Sequence, residues 1–211
     1  MHLSNARLAA AFVGTVAITG SVFAQPDIGG VPIHSEEDYF SSNDLWGMTV
    51  WSYVFDTTTD LPEGFMLGEG EMLFAYLLDG DDVKPISIDT YSVGNPYLMP
   101  ITSVGYSTVI LPPGYDMALR EDPYLFGYSG PAQATIFTYA GDFSDPYSTL
   151  DPDEWSLVWY IAEAADWDLG PATASGAGIG DNQFVPVPIP APGVAAVLGL
   201  AAALGIHRRR D

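Results

Sequence analysis

The chain has 211 residues, 27 of them Asp or Glu against 6 Lys or Arg, for a formal net charge of -21, and it contains no cysteine. That length allows one domain, or one with a small companion. The missing cysteine excludes a disulfide scaffold and Cys-ligated zinc or iron–sulfur sites, and the acidic excess argues against nucleic acid as a partner, because phosphate binding needs clustered Lys and Arg.

Residues 1–24 read as a secretory signal. Arg7 supplies a positive start, residues 8–18 (LAAAFVGTVAI) form an apolar run, and Thr19-Gly20-Ser21 breaks it. Val22-Phe23-Ala24 then offers small residues at the positions that determine cleavage, which is expected between Ala24 and Gln25. The run is too short for a membrane span, which needs about 20 apolar residues.

Residues 25–44 form a lead-in segment punctuated by Pro26, Gly29, Gly30 and Pro32. The charge run Glu36-Glu37-Asp38 is expected as a solvated turn. His34, the one histidine outside the two terminal segments, is expected in a loop before the first strand.

From residue 45 to 169 the pattern has period two. Met48, Val50, Ser52 and Val54 alternate with Thr49, Trp51, Tyr53 and Phe55, and both sets are apolar enough for a strand covered on both faces. Residues 72–78 (MLFAYLL), 86–93 (ISIDTYSV), 104–111 (VGYSTVIL), 134–139 (ATIFTY) and 155–161 (WSLVWYI) follow as further strand runs. A short helix near 160–167 is a second reading of the last of these. Asn95-Pro96-Tyr97, Asp122-Pro123-Tyr124 and Asp145-Pro146-Tyr147 share a turn chemistry, an Asx side chain capping a turn whose first dihedral proline fixes. The whole reads as an all-β domain, an antiparallel β-sandwich of jelly-roll type, flanked by an N-terminal signal helix and a C-terminal hydrophobic helix.

Residues 170–189 are rich in Gly and Pro and read as a linker. Between residues 25 and 188 only Lys84 and Arg120 oppose 26 acids, a net charge of -24. Calcium is the metal that such a domain suits, since it wants clustered oxygen ligands. Asp79, Asp81 and Asp82 form the densest loop for it, without the spacing of an EF-hand.

Catalysis is hard to assemble from this composition. A Ser–His–Asp triad would have to rest on His34, and no serine sits in a nucleophile elbow. Carboxylates are the chemistry left, with Glu63, Glu69, Glu71, Glu121, Glu154 and Glu163 as candidates for glycan hydrolysis. Aromatic side chains can stack on sugars, and Trp46 and Trp167, at strand ends, are the candidate exposed pair.

The last segment, 190–211, opens on Pro190-Ala191-Pro192, continues as an Ala/Gly/Leu-rich apolar run over 194–206, and ends on Arg208, Arg209 and Arg210. The prolines keep the approach extended, and the arginines would stay cytoplasmic while the rest is exported. This tail resembles the PEP-CTERM sorting signal of Gram-negative bacteria, in particular its planctomycete-like variants. Ala191 stands where the namesake motif has Glu. The resemblance covers about residues 186–211. It implies a transient membrane hold through the C-terminal segment and processing by an exosortase-like enzyme. The function expected is therefore an exported, surface-sorted protein of the cell envelope or extracellular matrix, non-catalytic, with polysaccharide as its candidate partner. The alternative is a carboxylate-based extracellular glycan hydrolase.

Overall fold

A computed structural model describes residues 25–42, 44–139 and 149–190. The fold of these residues is all-β, with two five-stranded antiparallel sheets. In chain order the strands are β1 (His34–Ser42), β2 (Trp46–Phe55), β3 (Glu71–Gly80), β4 (Thr90–Gly94), β5 (Ile101–Tyr106), β6 (Leu125–Ser129), β7 (Ala134–Thr138), β8 (Trp155–Glu163), β9 (Asp166–Gly176) and β10 (Ile179–Ile189). The first sheet has the order β1-β2-β3-β8-β5 and the second β10-β9-β4-β7-β6. Hairpins link β1 to β2, β2 to β3, β6 to β7 and β9 to β10, while the chain changes sheet after β3, β4, β5, β7 and β8.

Alternation puts one set of side chains between the sheets. Val50, Val54, Phe74, Tyr76, Leu78, Val158 and Tyr160 of the first sheet meet Tyr91, Val93, Phe137, Ala172, Ala174, Val185 and Val187 of the second in one buried cluster. The first sheet is also covered on its other face. Trp51, Tyr53, Phe55, Leu73, Ala75, Leu77, Trp155 and Leu157 are buried beneath Ile28 of the lead-in, the loop bearing Leu61, Phe65 and Leu67, and the loop bearing Ile110 and Tyr115. This double cover explains why β2 and β3 read as continuous apolar runs: period two disappears when both faces are dry. The second sheet keeps its outer face, where Thr90, Ser92, Ile136, Thr138, Thr173 and Ser175 are partly exposed.

Three boundaries differ from the sequence reading. Residues 170–189 are no linker but most of the β9–β10 hairpin, in register from Ile179↔Gly176 to Ile189↔Asp166. The lead-in contains β1, so Glu36, Glu37 and Asp38 lie on a strand and not in a turn. The helical alternative near 160–167 gives way to β8, which runs to Glu163 before β9 begins at Asp166. Extended pairing wins in each case because the partner strand supplies the backbone hydrogen bonds that local sequence cannot promise.

The Asn95-Pro96-Tyr97 turn forms as its chemistry suggests. Asn95 Oδ1 accepts from Met99 N at 2.9 Å, its Nδ2 donates to Met99 O at 2.7 Å, and Leu98 takes a φ of 55°. Asp122 instead receives a two-pronged bond from Arg120 at 2.9 and 3.1 Å. Asp145-Pro146-Tyr147, the cleavage residue Ala24 and the tail from Ala191 to Arg208, Arg209 and Arg210 lie outside the described residues, as do the two segments expected as flanking helices. No helix among the described residues is long and apolar enough to cross a membrane.

Candidate functional site

Among the described residues, two of the concave regions bring together side chains selected from the sequence. The first is a groove of about 320 Å³ on the outer side of the first sheet, between the loop 63–66 and the segment 106–109. Trp159 and Ile161 of β8 line it, with Glu63, Phe65, Met66 and Val109. Strand register positions the indole. Trp159 faces Gly105 of the edge strand β5, and a Cβ on Gly105 would come within 2.5 Å of the benzo ring. Glycine is thus the residue that lets the ring lie against the strand. Phe65 meets Trp159 edge to face, with centroids 5.1 Å apart and planes at 89°. Met66 and Val109 are 87% and 64% exposed, so the groove has apolar rims in contact with water.

The same sheet face carries two of the carboxylates selected by residue type. Glu71 and Glu163 are directly opposite in the β3–β8 register, on the alternation that holds Leu73, Ile161 and Trp159. Opposed Cβ atoms in such a pair sit about 4.5–5.5 Å apart. Glu71 Oε2 also accepts from Gly68 N at 2.6 Å, which fixes that carboxylate. Glu154 is elsewhere, accepting from Asp151 N at 2.9 Å, and burial raises its pKa above the ordinary carboxylate value.

The second region is an open, acidic pocket of about 500 Å³ lined by Tyr39, Thr49, Asp79, Asp81, Asp82 and Asp153 among others. The structure does bring the three sequence-selected aspartates to one place. Two of them are already bonded by phenols: Tyr115 donates to Asp79 Oδ2 at 2.9 Å and Tyr39 donates to Asp81 Oδ2 at 2.6 Å. Asp81 Oδ1 accepts from Val83 N at 3.1 Å. Asp79 has its pKa raised, first by burial, against the lowering bond from Tyr115 and with Asp82 and Asp81 adding to the rise. Among the described residues no three Asp, Glu or His side chains form a group able to hold a metal.

The two tryptophans selected from sequence do not form an exposed pair. Trp46 is wholly buried and donates from Nε1 to Ile179 O at 3.1 Å, so it is a core residue that staples β2 to β10. Trp167 is half-buried and stacks on His34 with centroids 3.8 Å apart and planes at 25°. His34 is therefore no loop histidine: it opens β1, covers Trp167, and lies 3.4 Å from Glu36 Oε2. Trp159 was missed because it shares a strand run with Trp155, which is buried, and burial on an outer sheet face depends on a loop distant in sequence. The glycine opposite it, Gly105, lies 54 positions away and becomes a signal only once β5 pairs with β8.

No protein-family model, curated protein or solved structure matches this chain.

Proposed function

We propose that this protein is an exported, surface-sorted component of the cell envelope or extracellular matrix, non-catalytic, and that it holds a neutral polysaccharide in the groove at Trp159. On this reading the two sheets are a jelly-roll-like β-sandwich, a rigid support for a ligand groove on one outer face. The observation that carries the reading is the placement of Trp159 against Gly105, with Phe65 at its edge and apolar rims exposed beside it. A flat aromatic ring in an open groove suits the apolar face of a sugar ring. A neutral chain is favoured over an acidic one because a net charge of -24 between residues 25 and 188 repels anions. The export part rests on Arg7, the 8–18 apolar run and Ala24 at one end, and on Pro190, Pro192 and the three terminal arginines, read by an exosortase-like enzyme, at the other. Calcium at Asp79, Asp81 and Asp82 would have to compete with the Tyr39 and Tyr115 hydroxyls for the same oxygens.

One observation favours the hydrolase as a second reading: Glu71 and Glu163 face each other on the sheet face that carries Trp159. Glycoside hydrolysis uses two carboxyl groups on either side of the scissile bond, and a cross-strand pair brings two of them to one place.

The test is to titrate neutral and acidic polysaccharides into the purified protein and to assay the mixtures for new reducing ends. Binding of a neutral chain, weakened about tenfold in Trp159→Ala and less in Trp159→Phe, is expected. Absence of binding sinks the polysaccharide assignment. Reducing ends that appear with the wild type and vanish with Glu163→Gln replace it with the hydrolase.

A further inference from the structure

The inner face of β1 carries two carboxylates toward the core. His34, Glu36, Asp38 and Phe40 alternate onto it, and only Phe40 is both apolar and buried. The carboxylates of Glu36 and Asp38 therefore enter the rim of the inter-sheet core, where β1 runs alongside β10. Register sets Ser52 of β2 opposite Glu36, and Tyr76 of β3 opposite Ser52. Tyr91 comes from β4 in the facing sheet and meets Phe40 and Tyr76 edge-on, at centroid distances of 5.9 and 5.8 Å.

Four oxygen atoms in this seam are buried and have no hydrogen-bond partner: Glu36 Oε1, Asp38 Oδ2, Ser52 Oγ and the Tyr91 hydroxyl. Ser52 and Tyr91 are 0% exposed, so bulk water does not satisfy them. Buried polar groups are almost always paired, and an unpaired buried carboxylate is the costliest exception.

Among the described residues no Lys or Arg is paired with a seam carboxylate. Among the described residues the Lys and Arg side chains are Lys84, which pairs with Asp44 at 3.1 Å, and Arg120, which pairs with Asp122. His34 reaches Glu36 Oε2 only at 3.4 Å, with its ring held on Trp167. From β10, Asp181 faces the same rim and adds negative charge, its Oδ2 accepting from Ser41 N and Gln183 Nε2. From β3 and β8, the Tyr76 hydroxyl donates to Pro186 O at 2.6 Å and lies 3.3 Å from that of Tyr160. Glu37 points to the opposite face of β1. Burial, then Glu36, then Glu37 push the Asp38 pKa up to about 6, and burial first, then Tyr160, then Asp38 hold the Tyr91 phenol protonated, with Glu36 adding to this.

A proton on Asp38 would remove only one of the two charges. A divalent cation removes both charges and takes the hydroxyl oxygens as ligands. Residues two apart on a strand face have Cβ atoms about 7 Å apart, close enough for both carboxylates to reach one ion at 2.3–2.6 Å. Calcium tolerates irregular oxygen shells of six to eight ligands, whereas magnesium demands an octahedron. The geometry points to a calcium site in the β1–β10 seam, with Glu36 and Asp38 as its charged ligands, Ser52 and Tyr91 as its neutral oxygens, and water completing the shell from the half-exposed rim. This site is separate from the aspartates of the 79–82 loop.

The test uses the full-length chain, stripped with chelator at neutral pH and titrated with calcium chloride alone. Calcium about 100-fold above its dissociation constant should raise the thermal midpoint by roughly 5–10 °C. That shift should fall by more than half in Glu36→Gln and in Asp38→Asn and persist in Asp81→Asn. Ser52→Ala, which removes one neutral oxygen and leaves the charges, keeps the proposal testable if the carboxylate variants fold poorly: it should weaken calcium binding a few-fold with an unchanged β spectrum. The proposal is overturned if calcium produces no shift in the wild type, if Asp38→Asn and Ser52→Ala both retain the full shift, or if the shift is lost in Asp81→Asn alone.

Discussion

Asp38 couples the seam to pH. An unfolded Asp38 releases its proton near 3.8, whereas the folded one holds it to about 6. Between those values the native state binds more protons than the unfolded state, so stability falls as pH rises through the window. Below about 4 both states are protonated and Asp38 costs nothing, while above about 6 its full cost is present. Asp79 and Glu154, both raised by burial, act in the same direction. With divalent ions removed, the midpoint should therefore rise on acidification from pH 7 to pH 5. Asp38→Asn should flatten that rise and be more stable than the wild type at pH 7. Thermal melts of both proteins at a series of pH values check it, and a wild type that loses stability over this range would show that other groups dominate. At this scale the sequence was a poor guide. The run Glu36-Glu37-Asp38 has the composition of a solvated turn, and nothing local shows that alternate members are carried under a second sheet.

β10 shows why one stretch can carry two readings. Val185-Pro186-Val187-Pro188 has the same extended backbone in a spacer as in a strand, so local conformation does not separate the two. Its alternation does the structural work. Val185 and Val187 are wholly buried between the sheets, and the prolines, which have no N–H to give, fall on the side without a partner strand. Proline at alternate positions also prevents β10 from laddering onto β1, which it approaches. The carbonyl left on that side is used, Pro186 O accepting from Tyr76. β10 is thus part of the fold. A chain ended after residue 176 loses Val185 and Val187 from the core and uncovers β9. It should show no cooperative urea transition, whereas Val187→Ala should keep the transition and lower stability by about 1.5–3 kcal/mol. A cooperative transition in the truncated chain would restore the linker reading.

Across the whole molecule the acids set a long-range cost. Residues 25–188 carry 26 acids against Lys84 and Arg120, and both cations are spent on local pairs. Self-repulsion at this density destabilises the compact state, and salt screens it over a Debye length of about 8 Å at 0.15 M. Raising sodium chloride from about 10 to 150 mM at pH 7 should lift the thermal midpoint, and chloride with a larger monovalent cation should do so equally. A midpoint indifferent to salt would mean that the charges are too well spread to repel. The apolar mass that withstands this repulsion is itself a whole-molecule property. The centre of the first sheet is dry on both faces because a lead-in and two loops fold over it, while the second sheet keeps one face to water.

The sequence by itself determined the class of this fold. Strand runs of β-branched and aromatic residues, separated by Asx-Pro and Gly turns, have one stable outcome, because a chain with period two buries its apolar set only by pairing strands. It also marked two terminal segments whose composition differs from everything between them. The tertiary structure decided which aromatic ring reaches a groove and which is entombed: Trp159 and Trp46 differ in no local feature that measures the distance to a covering loop or a facing sheet. It decided, too, that β10 is a strand and that Glu36 and Asp38 face a core. Those outcomes depend on which strands become neighbours across the gap between sheets, and that pairing is set by the packing of the entire chain, beyond the reach of any window along it.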